Sequence, residues 1–409
     1  MQSWQIRTFT TWDEIQSLQP LWTKLQHHPS AEYDFYRIVL QSRNNVESPC
    51  VFAYQENGAV LSLLVGRIER SQFSIHFGYA KLASFPARKL VLMDGGFMGQ
   101  QTDVIWERLL LFVVGFLRSA RITFANIENL PVNSSPFMIA TQRLSWYQKH
   151  PAPPGKHWLL QLPKSFDEFM AARSKKRRYW LNRLPRVLDK DFPSQWEIIR
   201  YSTYADADLF AAAAEKIASQ TYHRGLGVGF RANQEMLERL RLDARNSRLC
   251  SYVLFIKGEP CAFWHCASFG TTLHLASTGY RPAFASYEVG TVLLLRVIKD
   301  ICGTHITTVD FGLGDAEYKQ RYGTEYYEEA SLLIFPRTLK SFLLSALKHA
   351  GEAINQLARH TLGALHLTQR LKKYWRRKKA ATASPLPVDA EAEPETPSLP
   401  GKTPETAEK

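Results

Sequence analysis

Ser277-Thr278-Gly279-Tyr280-Arg281-Pro282-Ala283-Phe284-Ala285-Ser286-Tyr287-Glu288-Val289-Gly290-Thr291 reads as the end of a strand, a loop of small residues and the start of a helix. The helix continues to about residue 302, with Leu294, Val297, Ile298 and Ile301 on one apolar stripe. The first amides of such a helix have no intrahelical partners, and the helix dipole is positive there. A pyrophosphate fits that position, and Gly290 would let the main chain approach it closely. An ordinary strand-to-helix loop has the same pattern, so the segment has to be read with its neighbours.

Around it, the spacing predicts a strand at 196–202, helices at 206–223 and 233–246, and a hairpin of 249–256 and 260–269 about Lys257-Gly258-Glu259. A strand at 272–280 leads into the quoted loop. After the apolar helix come a strand at 306–311, a short helix at 315–322 and a last strand at 326–335. Residues 4–127 give the same succession. A strand at 4–9 precedes helices at 11–28 and 32–43, strands at 50–56, 59–69 and 72–79, a glycine loop at Asp94–Gly99, a helix at 103–119 and a strand at 121–127. The order β-α-α-β-β-β-α-β therefore occurs twice, as in a tandem duplication of architecture. The two halves share no sequence pattern. Pro151-Ala152-Pro153-Pro154-Gly155 marks a seam between them.

A second group follows the strand at 306–311. In Val309-Asp310-Phe311-Gly312-Leu313-Gly314-Asp315-Ala316-Glu317-Tyr318-Lys319 the glycines let the chain turn, and Asp315 is placed to cap a helix carrying Tyr318, Lys319 and Tyr322. Carboxylate, phenol and ammonium at the end of a central strand could do acid–base work or hold a phosphate. Asp315 as a mere cap and Tyr318 as core are equally compatible with the pattern. A third group is a basic helix opened by the capping box Ser165-Phe166-Asp167-Glu168 and carrying Arg173, Lys175, Lys176, Arg177, Arg178, Arg183 and Arg186, with Pro185 expected to interrupt it. A solvated basic face explains most of these residues, and RNA or DNA is the rival partner. His265 and His274 fall in strand-like runs, where a core or surface role is the default, although His265 could face a cleft.

Composition bounds the rest. The 409 residues exceed one ordinary core, and 45% hydrophobic with 12% aromatic residues describe a folded protein. The five cysteines form no CxxC pair and read as small buried residues rather than disulfides or metal ligands. No zinc-hydrolase, serine-hydrolase or nucleotide-loop motif occurs, and no metal is expected. The net charge is +13, and the tail after Lys379 holds six acids against two lysines, so the body is more basic than the total. Such a surface suits phosphate-bearing ligands, anionic lipid headgroups or nucleic acid. Residues 338–379 are amphipathic and end in Arg370-Leu371-Lys372-Lys373-Tyr374-Trp375-Arg376-Arg377-Lys378-Lys379. The last thirty, rich in Pro, Ala, Glu and Thr, have little to bury and are expected to be disordered. With no long apolar span and no signal-peptide pattern, the expected address is the cytoplasm, with docking on the inner membrane face open to the basic stretch.

Three blocks in order, Ser174-Lys175-Lys176-Arg177-Arg178-x-x-Leu181-x-Arg183, Tyr287-x-x-Gly290-Thr291 and Asp310-Phe311-x-x-Gly314-Asp315-x-x-Tyr318-Lys319, resemble the GNAT acetyltransferases associated with cellulose and exopolysaccharide biosynthesis, the CelD/BcsL-like group. That group is similar in turn to the FemAB peptidyltransferases, which carry two GNAT-like units. The resemblance covers about residues 158–335. It implies an α/β (α+β) fold of tandem GNAT-like domains, each a mixed sheet flanked by helices. The expected divisions are 1–150, an N-terminal GNAT-like domain; 156–336, the acyltransferase domain including the basic helix at 165–190; 337–379, a helical extension; and 380–409, the tail.

The resemblance also implies acetyl-CoA or another acyl-CoA as co-substrate, held by Thr278, Gly279, Tyr280, Tyr287, Gly290 and Thr291. Asp310, Asp315, Tyr318 and Lys319 are the candidate catalytic groups, and Arg178, Arg183 and His265 the candidate contacts to the acceptor. The implied acceptor is a sugar or lipid-linked saccharide carrying an amine or hydroxyl. Two other readings stay open: aminoacyl transfer from charged tRNA as in the FemAB enzymes, and an inactive pair acting as a scaffold of a polysaccharide synthase.

Overall fold

The computed structural model describes residues 3–364 apart from 78–79, 222–223 and 225–228. Its strands are β1 (Trp4–Phe9), β2 (Val46–Glu56), β3 (Ala59–Phe77), β4 (Ala80–Gly99), β5 (Phe124–Pro131), β6 (Lys149–Pro151), β7 (Gly155–Gln161), β8 (Trp196–Tyr201), β9 (Ser251–Ile256), β10 (Glu259–Phe269), β11 (Thr272–Tyr280), β12 (Thr308–Leu313) and β13 (Glu325–Ile334). The hairpin turns Asn57-Gly58 and Lys257-Gly258 have positive φ at both central residues, at 49° and 85° and at 53° and 73°. That conformation matches the twist of the strands it joins. The alternation of β2, β3, β9 and β10 then carries residues to both faces of the sheet, and both faces are buried.

All thirteen strands form one sheet, in the order β1-β2-β3-β4-β5-β13-β7-β12-β11-β10-β9-β8, with β6 also on β13. Only β4·β5 and β11·β12 are parallel. Each follows from the same device, a strand leaving the sheet into a long apolar helix and returning beside itself. Once the helix and strand that follow each copy of the repeated order are counted with it, β7 ends the first half although it lies past the proline run at 151–155, and the last strand of each half has crossed over. β7, which ends the first half, pairs with β12 of the second, and β13, which ends the second half, pairs with β5 of the first. β7 and β13 pair with each other in the middle.

The helices are α1 (Trp12–Gln16), α2 (Gln19–Leu25), α3 (Tyr33–Ser42), α4 (Asp103–Ser119), α5 (Ser135–Arg143), α6 (Phe166–Ala171), α7 (Lys175–Asp191), α8 (Asp206–Ala218), α9 (Gln234–Arg245), α10 (Val289–Ile301), α11 (Glu317–Tyr322) and α12 (Leu339–Ala364). In the second half, α7 and α10 cover one face through Leu181, Leu184, Leu188, Leu293 and Ile298. α8 and α9 cover the other through Phe210, Ala214, Ile217 and Leu240. α4 and the N-terminal helices do the same in the first half. The halves meet where α3 faces α9. Arg43 makes a two-pronged pair with Glu235, at 2.7 Å on each arm. Buried Glu32 forms an ion pair with Arg248 at 2.8 Å and lies 3.7 Å from Arg239.

Three local expectations are corrected. Asp94–Gly99 is the end of a long strand rather than a free loop. Pro185 lies inside α7 without ending it; the break falls at Ala172–Ser174, where the Ser174 hydroxyl accepts the Arg177 N–H. Burial of Leu181, Leu184 and Leu188 on both sides of the proline holds the helix together where propensity alone would break it. α5, capped by Ser134, was not anticipated. The cysteines are free, and four of the five are buried. No helix among the described residues is long and apolar enough to cross a membrane. The basic run 370–379 and the tail 380–409 lie outside the described residues.

Candidate active site

Strands β11 and β12 pair only over Thr272–His274 and Thr308–Asp310. Beyond that point each keeps its other neighbour: Tyr280 still faces Ala262 of β10, and Leu313 still faces His157 of β7. The sheet therefore opens along a single seam. The cause is visible on β11, where His265 pairs with Ser277 and Cys266 with Leu275, leaving Ala276 as an extra residue. A bulge of this kind bends and twists the strand that carries it.

The opening is a cavity of about 580 Å³, within the size range of small-ligand sites. Thr278, Gly279 and Tyr280 line one wall, Ala316, Tyr318 and Arg321 the other, and Glu288, Val289, Gly290 and Thr291 its mouth. The mouth is the start of α10. Glu288 stands at the N-cap in the left-handed region (φ 47°) and gives no side-chain cap. The amides of Val289 and Gly290 have no hydrogen-bond partner among the described residues. A Cβ at Gly290 would meet only Tyr280 Cδ1, at 3.7 Å. The protein's own packing thus leaves this glycine's open face to the cavity. Oε2 of Glu288 is buried without a donor, a place where a ligand N–H or O–H would be satisfied.

At the closed end of the seam lies a polar cluster. His274 Nδ1 is 3.1 Å from Asp310 Oδ2. Asp310 Oδ1 also accepts His157 Nε2 at 2.6 Å and the Gly312 amide at 2.7 Å. His157 reaches Glu329 through Nδ1 at 2.9 Å and stacks on Tyr327. Burial opposes ionisation of Asp310, but the hydrogen bonds and charge of His157 and His274 outweigh it and hold the carboxyl well below its usual range. Burial likewise opposes protonation of His157, and the two carboxylates prevail, lifting it to about 9. His157 is therefore a buried imidazolium that donates from both nitrogens. His274 turns Nδ1 to the Asp310 carboxylate, which leaves Nε2 without a hydrogen-bond partner among the described residues.

Of the residues picked from sequence, Thr278, Gly279, Tyr280, Gly290, Thr291 and Tyr318 line one cavity, and Asp310, outside that lining, stands where the pairing of β11 and β12 ends. Tyr318 packs on Trp264 and Phe311, and burial raises its phenol far above the usual value. Tyr287 packs at a tilt against Phe192, the C-cap of α7, and is not part of the lining. Lys319 is buried and donates to the Gly312 and Leu313 carbonyls at 3.1 and 2.8 Å, pinning the turn after β12. Asp315 is exposed and caps nothing; Ala316 holds the N-cap of α11. Arg178 donates to the Ala171 and Arg173 carbonyls, and Arg183 lies over Trp180. His265 points to the opposite face, fully enclosed with Phe210 and Phe230, and burial lowers its pKa to about 3. Sequence reasoning missed His157 and Glu329 and undervalued His274. The one available signal was that His274 and Asp310 fall in the predicted strands on either side of the apolar helix.

The first half has the corresponding seam, since β4 and β5 pair only over Lys89–Leu92 and Phe124–Ile127. It is filled from within. A Cβ on Gly95 would lie 2.2 Å from His28 Cβ, so the histidine sits directly on the glycine. Asn129 donates to Asp94 at 3.1 Å across the gap. At the start of α4 the Thr102 hydroxyl accepts the Ile105 amide.

Residues 175–320 match the family model described as the acetyltransferase (GNAT) domain. The chain carries a GNAT acetyltransferase domain. The match spans α7, the seam, the mouth of the cavity and most of α11. Among solved structures, the crystal structure of FemX is similar at TM-score 0.55 and 10% identity, covering 84% of this chain and 100% of that one. A tandem GNAT protein from the clavulanic acid biosynthesis pathway gives 0.46 at 10% identity, with 81% and 98% covered. At 10% identity the likeness to FemX speaks for the fold alone. No curated protein matches the chain.

Proposed function

We propose that this chain is an acyl-CoA-dependent acyltransferase that moves an acetyl group onto an amine or hydroxyl of a saccharide acceptor. The observation that carries the reading is the open seam of the second half, with unpartnered amides at its mouth and a histidine–carboxylate pair at its closed end. The amides of Val289 and Gly290 receive the cofactor diphosphate, and Arg321 adds positive charge beside it. The pantetheine arm enters between β11 and β12, and the free edge of β11 from Leu275 to Tyr280 supplies N–H groups to the thioester carbonyl as it becomes an oxyanion.

The acceptor N–H or O–H attacks the carbonyl carbon and gives its proton to His274 Nε2. Asp310 holds the imidazole in the right tautomer. The C–S bond breaks, a C–N or C–O bond forms, and the thiolate leaves with the proton of Tyr318, which is recovered from solvent. Alignment of the two reactants supplies much of the rate.

A sugar acceptor is supported by the sequence blocks shared with the exopolysaccharide-associated group. A lipid-linked one is supported by α12, whose Leu339, Leu343 and Leu347 are exposed one turn apart, and by the basic run 370–379 that follows it in sequence. The chain would then work on the inner face of the membrane. Liposome co-sedimentation with and without residues 338–409 tests that location.

The central test is thermal denaturation with CoA, acetyl-CoA, longer acyl-CoAs and charged tRNA. A ligand at 100 times its dissociation constant stabilises the fold by about 2.7 kcal/mol. Stabilisation by acyl-CoA is the expected result. Stabilisation by charged tRNA alone would replace the proposal with aminoacyl transfer, and stabilisation by none would leave a scaffold.

A further inference from the structure

α12 packs back on the first half just where β6 begins, with Phe342 against Trp146 and Tyr147. His349 and Glu352 stand three residues apart on this helix and so share a face. Opposite them is His150 of β6, with 4% of its surface exposed. One ligand atom from each of the three lies within 4.8 Å of the others.

Each side chain is prepared in a way that an ordinary ion pair does not need. Nε2 of His150 is buried and stands 2.7 Å from Glu352 Oε2. His349 Nε2 faces the Trp146 carbonyl at 3.3 Å, and Nδ1 has no hydrogen-bond partner among the described residues. A backbone carbonyl behind one ring nitrogen is the usual support for a histidine that ligates through the other. Lys348 Nζ holds Glu352 Oε1 at 3.2 Å and leaves Oε2 turned to His150.

We propose that His150, His349 and Glu352 bind a zinc ion that fastens the C-terminal helix to the first half. Two imidazoles and a carboxylate suit zinc, with bonds of about 2.0–2.2 Å and a water as fourth ligand. Glu352 is half-exposed, so a water can reach that position. The site shares no residue with the cavity between β11 and β12, and a sequence reading has no means to pair position 150 with positions 349 and 352.

The test uses the full chain stripped of metal with a chelator. Addition of zinc is expected to give one equivalent bound, a rise in Tm, and, with cobalt in its place, the intense visible absorption of a four-coordinate centre. His349→Ala and Glu352→Gln, both on the outer helix and mild for folding, should each weaken zinc binding by at least about tenfold, the lower end of what even supporting residues cost. They should leave CoA affinity as it was. No binding by the wild-type chain, or binding and Tm shift unchanged in both variants, would overturn the proposal. Either result leaves the acyltransferase reading to its own test.

Discussion

His274 and Asp310 are the last residues that β11 and β12 hold in register, and their side chains meet at 3.1 Å at the point where the two strands part. A strand pair that ends on a histidine and a carboxylate puts a base at the bottom of the opening it creates. His274→Gln is expected to lower acyl transfer by about 10²–10⁴, the usual contribution of a general base, with CoA affinity within twofold of wild type. Asp310→Asn should fall in the same range, and the double variant should be little worse than either, because the two act as a unit. Steady-state thiol release with parallel calorimetry of CoA binding measures both. Full turnover in His274→Gln would remove this histidine from the chemistry.

Tyr318 and Asp315 sit three residues apart and should behave differently. Tyr318→Phe removes the buried phenol beside the cavity and is expected to slow turnover by tenfold or more, on the order of the weaker general-acid effects. Asp315→Asn changes an exposed side chain that caps nothing and should leave turnover and Tm alike.

Gly290→Ala puts a methyl group where the structure leaves room and a cofactor diphosphate would come. Alanine is the better helix former, so Tm without ligand should hold or rise slightly. Loss of a hydrogen bond to a charged group costs about 1.5–3 kcal/mol, so CoA affinity should fall by roughly ten- to a hundredfold in calorimetric titration.

His157 gives a pH signature. Its folded pKa of about 9 lies above the ordinary histidine value. The stabilisation it brings is therefore complete below about pH 6.5 and disappears as pH rises through about 9. Urea denaturation of the wild type should show a loss of roughly 2–3 kcal/mol across that window. His157→Gln should be less stable at pH 7 and nearly flat over the same range.

Gly95→Ala tests the claim that the first seam is occupied. The position has φ 66° and its new Cβ would strike His28. Destabilisation by more than about 1 kcal/mol is expected, since both the backbone and the neighbour must shift. CoA affinity should not change. A variant that instead bound CoA less tightly would place the cofactor in the wrong half.

The long apolar helices, the Asn-Gly and Lys-Gly hairpins and the doubled element order were legible because each rests on local pattern: a stripe of leucines, a turn that needs two left-handed residues, a strand length. The loop at Ser277–Thr291 was legible for the same reason, and five of the six cofactor contacts expected from it line one cavity. Long-range placement was not legible. Nothing near His157 in sequence signals that it stands between Asp310 and Glu329, more than 150 residues away along the chain. Alternation along β10 could have sent His265 to either face, and only the packing of α8 decides it. Arg178 and Lys319 advertise charge, but backbone carbonyls within a few residues take up both. Pro185 shows the limit of propensity where burial on both sides of a residue is strong.

The exchange of end strands between the halves makes the molecule one object for folding. A break engineered at Pro153–Pro154 would leave one fragment with Asp310 and Glu329 and the other with the sheet edge that β13 needs, while His157 would lie beside Asp310 without its native frame. Neither piece is a complete barrier to water or a complete core, so the two should be insoluble apart and recover only when refolded together. Within that one object the two clefts are unlike: His28 and Asn129 occupy the one between β4 and β5, and the one between β11 and β12 stays open.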